Sequence, residues 1–119
     1  MGTFRVTLEI ARQEEGPFQQ VDPLVDTGAF YTWFPASVLE GLGIQRTLRR
    51  SFLLADGRTI EWDVSVVVAR LDGQTLPTLA IFGDEGAEPL LGAYTLEGFA
   101  LAQALINRRL VPLPRLYLV

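Results

Sequence analysis

Asp26-Thr27-Gly28-Ala29 is the stretch best suited to chemistry, because an acid directly follows the apolar pair Leu24-Val25, where the chain leaves a strand and turns. Burial at such a place shifts the proton affinity of a carboxyl group, which suits it to general acid or base work. The plain structural alternative is a turn or an Asx cap. The rest of the inventory directs attention to carboxylates. Cysteine and histidine are absent and all ten basic residues are arginine. That excludes a thiol nucleophile, a Ser-His-Asp relay, a zinc site of the usual nitrogen and sulfur type, and a disulfide framework. Without lysine there is no Schiff base, no Ser-Lys dyad and no P-loop lysine. Proton chemistry falls to the fourteen Asp and Glu residues, with tyrosine hydroxyls, backbone amides and bound water. No metal and no cofactor is expected.

Other polar clusters carry weaker signals. Asp56-Gly57 and Asp72-Gly73 both read as hairpin turns between apolar runs. Asp84, Glu85 and Glu88 lack a calcium-loop pattern and read as a solvated acidic loop. Phe30, Tyr31, Trp33 and Phe34 read as core or interface filling, since rings of this kind dominate buried area.

The elements that must position Asp26 are short strands. Thr3 to Ile10 alternates Phe4, Val6, Leu8 and Ile10 against Arg5, Thr7 and Glu9, a half-buried strand. Gln13 to Pro17 turns, and Phe18 to Val25 returns as a second strand with an edge or bulge at Pro23. The run Phe30 to Phe34 favours an extended conformation. Pro35 suits the first position of a two-turn helix bearing Val38, Leu39 and Leu42, stopped at Gly41 and Gly43. Strands are then expected at Phe52 to Ala55, Thr59 to Ala69 and Thr75 to Phe82. A short helix at Ala93 to Glu97 precedes a last pair at Phe99 to Ile106 and Leu110 to Leu118.

The sum is an all-β domain, a closed barrel or sandwich of short antiparallel strands with one or two short helices, spanning residues 1–119 as one unit. A hydrophobic fraction of 49% supplies a core. A net charge of −4 argues against a nucleic-acid partner, and no apolar run approaches the roughly 20 residues that span a bilayer. The N-terminus lacks a signal-peptide pattern, so a soluble cytoplasmic protein is expected.

The chain resembles the retropepsin-like aspartic peptidases along nearly its whole length. The resemblance rests on Leu24-Val25-Asp26-Thr27-Gly28-Ala29, on Thr32 and Pro35, on the hairpin Leu54-Ala55-Asp56-Gly57, and on Leu90-Leu91-Gly92 before a short helix. It implies that Asp26 is the catalytic acid and that Thr27 braces the active-site loop by a hydroxyl bond to the other chain's backbone. It also implies that Ala55, Asp56, Gly57 and Arg58 form a flap over substrate, and that Leu90, Leu91 and Gly92 support the active-site loop. Gly28 would let substrate backbone approach closely. Phe30 stands where many relatives carry a small or polar residue. Arg58 is expected to be a solvated turn charge.

Peptide hydrolysis by carboxylates needs one ionised and one protonated group. The chain has a single Asp-Thr-Gly, so a working site takes Asp26 from each of two chains across a twofold axis. Two carboxylates about 3 Å apart at an effective dielectric near 20 repel by roughly 5 kcal/mol, so the pair retains one proton and titrates as a unit, as in aspartic peptidases generally. The implied function is a homodimeric endopeptidase acting on peptide or unfolded protein. The alternative is a peptide-binding or assembly module that keeps the fold and hydrolyses nothing. Ala29 lacks the hydroxyl that a serine there would offer the catalytic carboxylate, so activity is expected to peak at mildly acidic to neutral pH. The apolar end Leu116-Tyr117-Leu118-Val119 needs cover, and by the resemblance it would interleave with a second chain; deleting Arg115 to Val119 should then weaken dimerisation.

Overall fold

The computed structural model describes residues 3–104 and 106–116. The sheet strands are β1 (Leu8–Ala11), β2 (Gln19–Val21), β3 (Leu24–Val25), β4 (Thr32–Pro35), β5 (Leu48–Leu53), β6 (Thr59–Leu71), β7 (Gln74–Gly83) and β8 (Leu90–Leu91). Helix α1 (Ala36–Gly41) follows β4, and helix α2 (Ala93–Gly98) leads into a separate hairpin of β9 (Leu101–Ala104) and β10 (Arg109–Pro112). Among the described residues no helix is long and apolar enough to cross a membrane.

The main sheet runs β2-β1-β6-β7-β4-β8-β3, with β5 also on β6. It curls back on itself: Val25 N–H donates to Phe4 O at 2.8 Å, and Arg5 bridges Leu24. The chain entering β1 thereby covers the far edge at β3. Leu8, Ile10, Val25, Phe34, Leu39, Val67, Phe82, Leu91, Leu96 and Phe99 fill the enclosed core.

Two pairings depart from the all-antiparallel expectation. β3 runs parallel to β8 and β4 parallel to β7. The reason is topological: β8 inserts between β3 and β4, pairing antiparallel with β4 through Trp33 and Leu90. Two strands joined by the Asp26 loop are thus held apart by a third, and the loop is left projecting from the gap.

Several boundaries also differ. Regular pairing begins at Leu8 rather than Thr3, because Phe4 to Val6 serve β3 instead. The expected strand from Phe18 to Val25 is broken at Asp22-Pro23, where proline has no N–H to give a ladder. Pro35 ends β4 and precedes the helix instead of opening it, since its parallel pairing with Gly83 keeps it extended at ψ 138°. β5 starts at Leu48, ahead of the expected Phe52. Its residues are mostly exposed, so burial does not mark it; cross-strand ion pairs of Arg49 with Glu61 and Asp63 do. The last pair is shorter than expected; Leu105, Tyr117 and Leu118 of that stretch, and Val119 of the apolar end, lie outside the described residues. The Asp72-Gly73 turn matches expectation, with both residues at positive φ (52° and 76°) between the partners Leu71 and Gln74.

Candidate active site

Strand alternation divides the sheet between two faces, and this division builds the site. Thr32, Phe34, Ala80, Phe82, Val67 and Leu91 are buried on the inner face. Their neighbours Trp33, Ile81 and Leu90 fall on the outer face, where Trp33 pairs with Leu90 and with Ile81, and Ile81 with Val64. Trp62, two residues before Val64 on β6, shares that face.

Asp26 follows β3 directly. Its N–H donates to Leu91 O at 3.0 Å, which continues the β3–β8 ladder by one residue and fixes where the side chain emerges. Its Oδ1 accepts the Gly28 N–H at 2.9 Å, and its carbonyl accepts the Ala29 N–H at 3.1 Å. The loop is therefore an Asx turn, and the same carboxylate that could do chemistry also holds the turn. Asp26 is half-buried in the single chain. None of the ion pairs among the described residues involves it.

Leu90-Leu91-Gly92 lies against this loop. Ala93 N–H donates to Ala29 O at 2.9 Å and Tyr94 N–H to Phe30 O at 2.8 Å, so the start of α2 clasps the loop's outgoing arm. A β-carbon on Gly92 would stand 2.6 Å from Tyr31 O and 2.8 Å from Ala29 O, so glycine is required by close backbone approach. Beneath the clasp is a buried hydroxyl network, which sequence reasoning missed. The Thr32 and Thr95 hydroxyls bond each other, Thr95 Oγ1 meets Thr78 Oγ1 at 2.8 Å, and Gly92 N–H donates to Thr32 Oγ1 at 3.0 Å. Thr27 points elsewhere: its Oγ1 accepts from Gln103 Nε2 on β9 at 3.1 Å.

The β5–β6 hairpin brings a wall to the loop. A cavity of about 270 Å³ is lined by Ala29, Phe30 and Tyr31 of the loop, by Phe52, Leu53 and Leu54 of the hairpin's rising arm, and by the outer-face residues Trp33, Trp62, Ile81 and Leu90. Rings connect the two sides: Tyr31 to Phe52 at 5.9 Å, Phe52 to Trp62 at 5.6 Å and Trp62 to Trp33 at 4.9 Å. Trp33 Nε1 donates to Glu88 O at 2.8 Å, which locks its indole. Of the aromatic run, only Phe34 is core; Phe30, Tyr31 and Trp33 line the cleft, so of the expected core or interface filling the core part holds for Phe34 alone. The signal lay in Thr32 to Pro35, whose alternation sends Trp33 and Phe34 to opposite faces, while Phe30 and Tyr31 precede the strand.

Ala55, Asp56, Gly57 and Arg58 form the exposed hairpin tip and do not line that cavity. Gly57 sits at φ 89°. Arg58 is exposed but not free: its N–H and Nε bond the two Asp56 oxygens at 3.0 and 2.7 Å. The bonds from the Arg58 backbone and side chain hold the Asp56 carboxyl below its ordinary value. At the hairpin's base Arg46 and Arg49 hold the Asp63 carboxyl down in the same way, chiefly by hydrogen bonding. The acidic loop is likewise fastened rather than merely solvated. Glu85 accepts the Ser37 N–H and hydroxyl at 2.8 and 2.6 Å at the start of α1, which lowers its carboxyl, and Glu88 receives Arg5 through both oxygens at 2.8 Å. No group of three potential metal ligands exists among the described residues.

A β-sheet curled around one core, an Asp-Thr-Gly loop at the gap between β3 and β4, and a hairpin wall beside it define a retropepsin-like aspartic peptidase fold. The sequence profile of the aspartyl protease family matches residues 7–95, and the chain belongs to that family. Its structure is similar to a retropepsin-like aspartic protease from Rickettsia conorii (TM-score 0.57, 21% identity, 86% of this chain and 87% of that one). It is similar also to the simian foamy virus (mac) protease (TM-score 0.58, 16% identity, 79% of this chain and 92% of that one). A third likeness is to the retroviral protease-like domain of Ddi1 from Leishmania major (TM-score 0.56, 16% identity, 91% and 87% covered). No match was found among curated proteins.

Proposed function

We propose that the chain is an aspartic endopeptidase that works as a homodimer, with Asp26 from each copy meeting across a twofold axis. The observation that carries the reading is the placement of Asp26: half-buried, bound to no cation among the described residues, on a loop clamped by β8 and α2 beside an aromatic-lined cleft. The facing copy would supply both the second carboxylate and the remaining burial.

One carboxylate of the pair is ionised and takes a proton from water as the water oxygen bonds to the peptide carbonyl carbon. The other carboxyl gives its proton to the carbonyl oxygen. Collapse of the resulting diol breaks the C–N bond while a proton passes to the leaving nitrogen, and no covalent enzyme intermediate forms. Substrate lies extended, so main-chain bonds give affinity and side-chain pockets give specificity. The cavity beside Ala29, walled by Phe52, Trp62, Trp33 and Leu90, fits a large apolar side chain of the peptide.

The test is cleavage of an unfolded protein or a peptide library by the wild type and by Asp26→Asn, with and without pepstatin. Asparagine can keep the Asx turn, so folding survives while proton transfer stops. Cleavage by the wild type that is abolished in D26N and by pepstatin supports the reading. Peptide binding without cleavage would instead make the chain a non-hydrolysing binding module.

A further inference from the structure

The β9–β10 hairpin is a two-stranded sheet of its own, outside the ladder that holds Asp26. It sits on the body through buried Leu101 and partly buried Leu110, and Arg108 ties it to Thr3 O at 3.2 Å. One side chain crosses from it to the active-site loop. Gln103 Nε2 donates to Thr27 Oγ1 at 3.1 Å, joining residues 76 positions apart in the chain. The other end of the same amide, Gln103 Oε1, is buried and has no partner, the one buried side-chain polar atom in that condition among the described residues. A buried acceptor left without a donor is costly, which marks the amide as kept at that place for what its N–H does.

A hydroxyl that accepts a hydrogen bond keeps its own proton to give. By donating to Thr27 Oγ1, Gln103 occupies it as an acceptor on the hairpin side and leaves its O–H directed away from the hairpin. Bonds in such a chain strengthen one another. Met or Leu at 103 would fill the same space without setting that direction.

We propose that Gln103 is a positioning residue of the active site: it latches the C-terminal hairpin to the Asp26 loop and sets the Thr27 hydroxyl to donate to the second copy. The proposal rests on the dimeric reading above. It makes docking of the hairpin and assembly of the Asp26 pair a single event.

The test is a double-mutant cycle between Gln103→Met and two changes at Thr27, read as the dimer dissociation constant in sedimentation. Gln103→Met should weaken the dimer about tenfold, the size expected for one hydrogen bond, in the wild-type and T27S backgrounds, and less than twofold in T27V, where no hydroxyl remains to be set. An equal loss in T27V, or no loss in the wild type, overturns the latch and assigns Gln103 to packing. Should the wild type prove monomeric, the dimeric reading fails and takes with it the bond to a second copy. The latch itself is then decided by amide exchange at Gly28 and Ala29. Q103M should speed that exchange about tenfold in the wild-type and T27S backgrounds and leave it unchanged in T27V. Exchange that does not respond in this pattern overturns it.

Discussion

Tyr31 O stands 2.6 Å from the position that a β-carbon on Gly92 would occupy, so the loop carrying Asp26 and the start of α2 are in backbone contact at that point. Alanine at 92 must push the two apart, and both Ala93 N–H to Ala29 O and Tyr94 N–H to Phe30 O lie on the clasp it would open. Gly92→Ala is expected to lower stability by about 2–4 kcal/mol in denaturant titration, well beyond an ordinary surface change. Gly98→Ala is the control: a β-carbon there meets nothing within 4 Å, and it should be neutral or slightly stabilising.

Thr95→Val tests the hydroxyl network below that clasp. Valine keeps the shape but removes the partner of both the Thr32 and Thr78 hydroxyls in a buried site. Leaving those groups short of a bond should cost about 1–3 kcal/mol. Thr32 also accepts from Gly92 N–H, so amide exchange at Gly92 should quicken in T95V while exchange in the distant β1–β2 pairing stays as it was.

How much of this was legible in the sequence follows from which forces act at each place. Asp26 stood out through local chemistry, as an acid after an apolar strand, whereas Gly28 and Leu90 to Gly92 were picked out by the family resemblance, and the close approach that requires glycine at 92 shows only in the fold. The strands of the core were visible through alternation. β5 was mostly hidden, because its exposed residues are held by Arg49 and Arg46 reaching Asp63 across the strand, and charge pairs leave no period in a sequence. The parallel pairing of β3 with β8 was hidden for another reason: residues 24 and 90 meet only through the global winding of the chain. Gln103 belongs to the same class, since nothing near it in sequence announces Thr27.

The hairpin beside the cleft should be acid-sensitive. Hydrogen bonds from Arg46 and Arg49 hold the folded Asp63 carboxyl below its ordinary value of 3.8. A depressed carboxyl contributes stability that is fully present above its unfolded value and is lost as pH falls through the folded one. Asp56, held down at the tip by Arg58, acts in the same direction. Amide exchange along β5 should therefore be steady from neutral pH down to about 5, once corrected for intrinsic rates, and should quicken below roughly pH 4. Asp63→Asn should show the quickened exchange already at neutral pH. Exchange in D63N that matches the wild type at pH 7 would show that the ion pairs do not hold the strand.

The wall of the cleft makes the sharpest statement about substrate. Trp62 lies on β6 with its ring 4.9 Å from Trp33 and 5.6 Å from Phe52, so it forms part of the cavity wall. Burying a large apolar side chain is worth about 1.5–3 kcal/mol, and the Trp62 ring is part of the wall that would bury it. Trp62→Ala should therefore lower kcat/KM for peptides with an aromatic residue in this pocket by about 10- to 100-fold, and lower it little for peptides with alanine there. The contrast between the two substrates is the measurement, because a general loss of folding or dimerisation would reduce both alike. Trp62→Phe, which restores part of the ring surface, should recover part of the preference. An equal loss for both peptides in W62A would mean that the pocket does not read the substrate, and the aromatic wall would then only stiffen the hairpin.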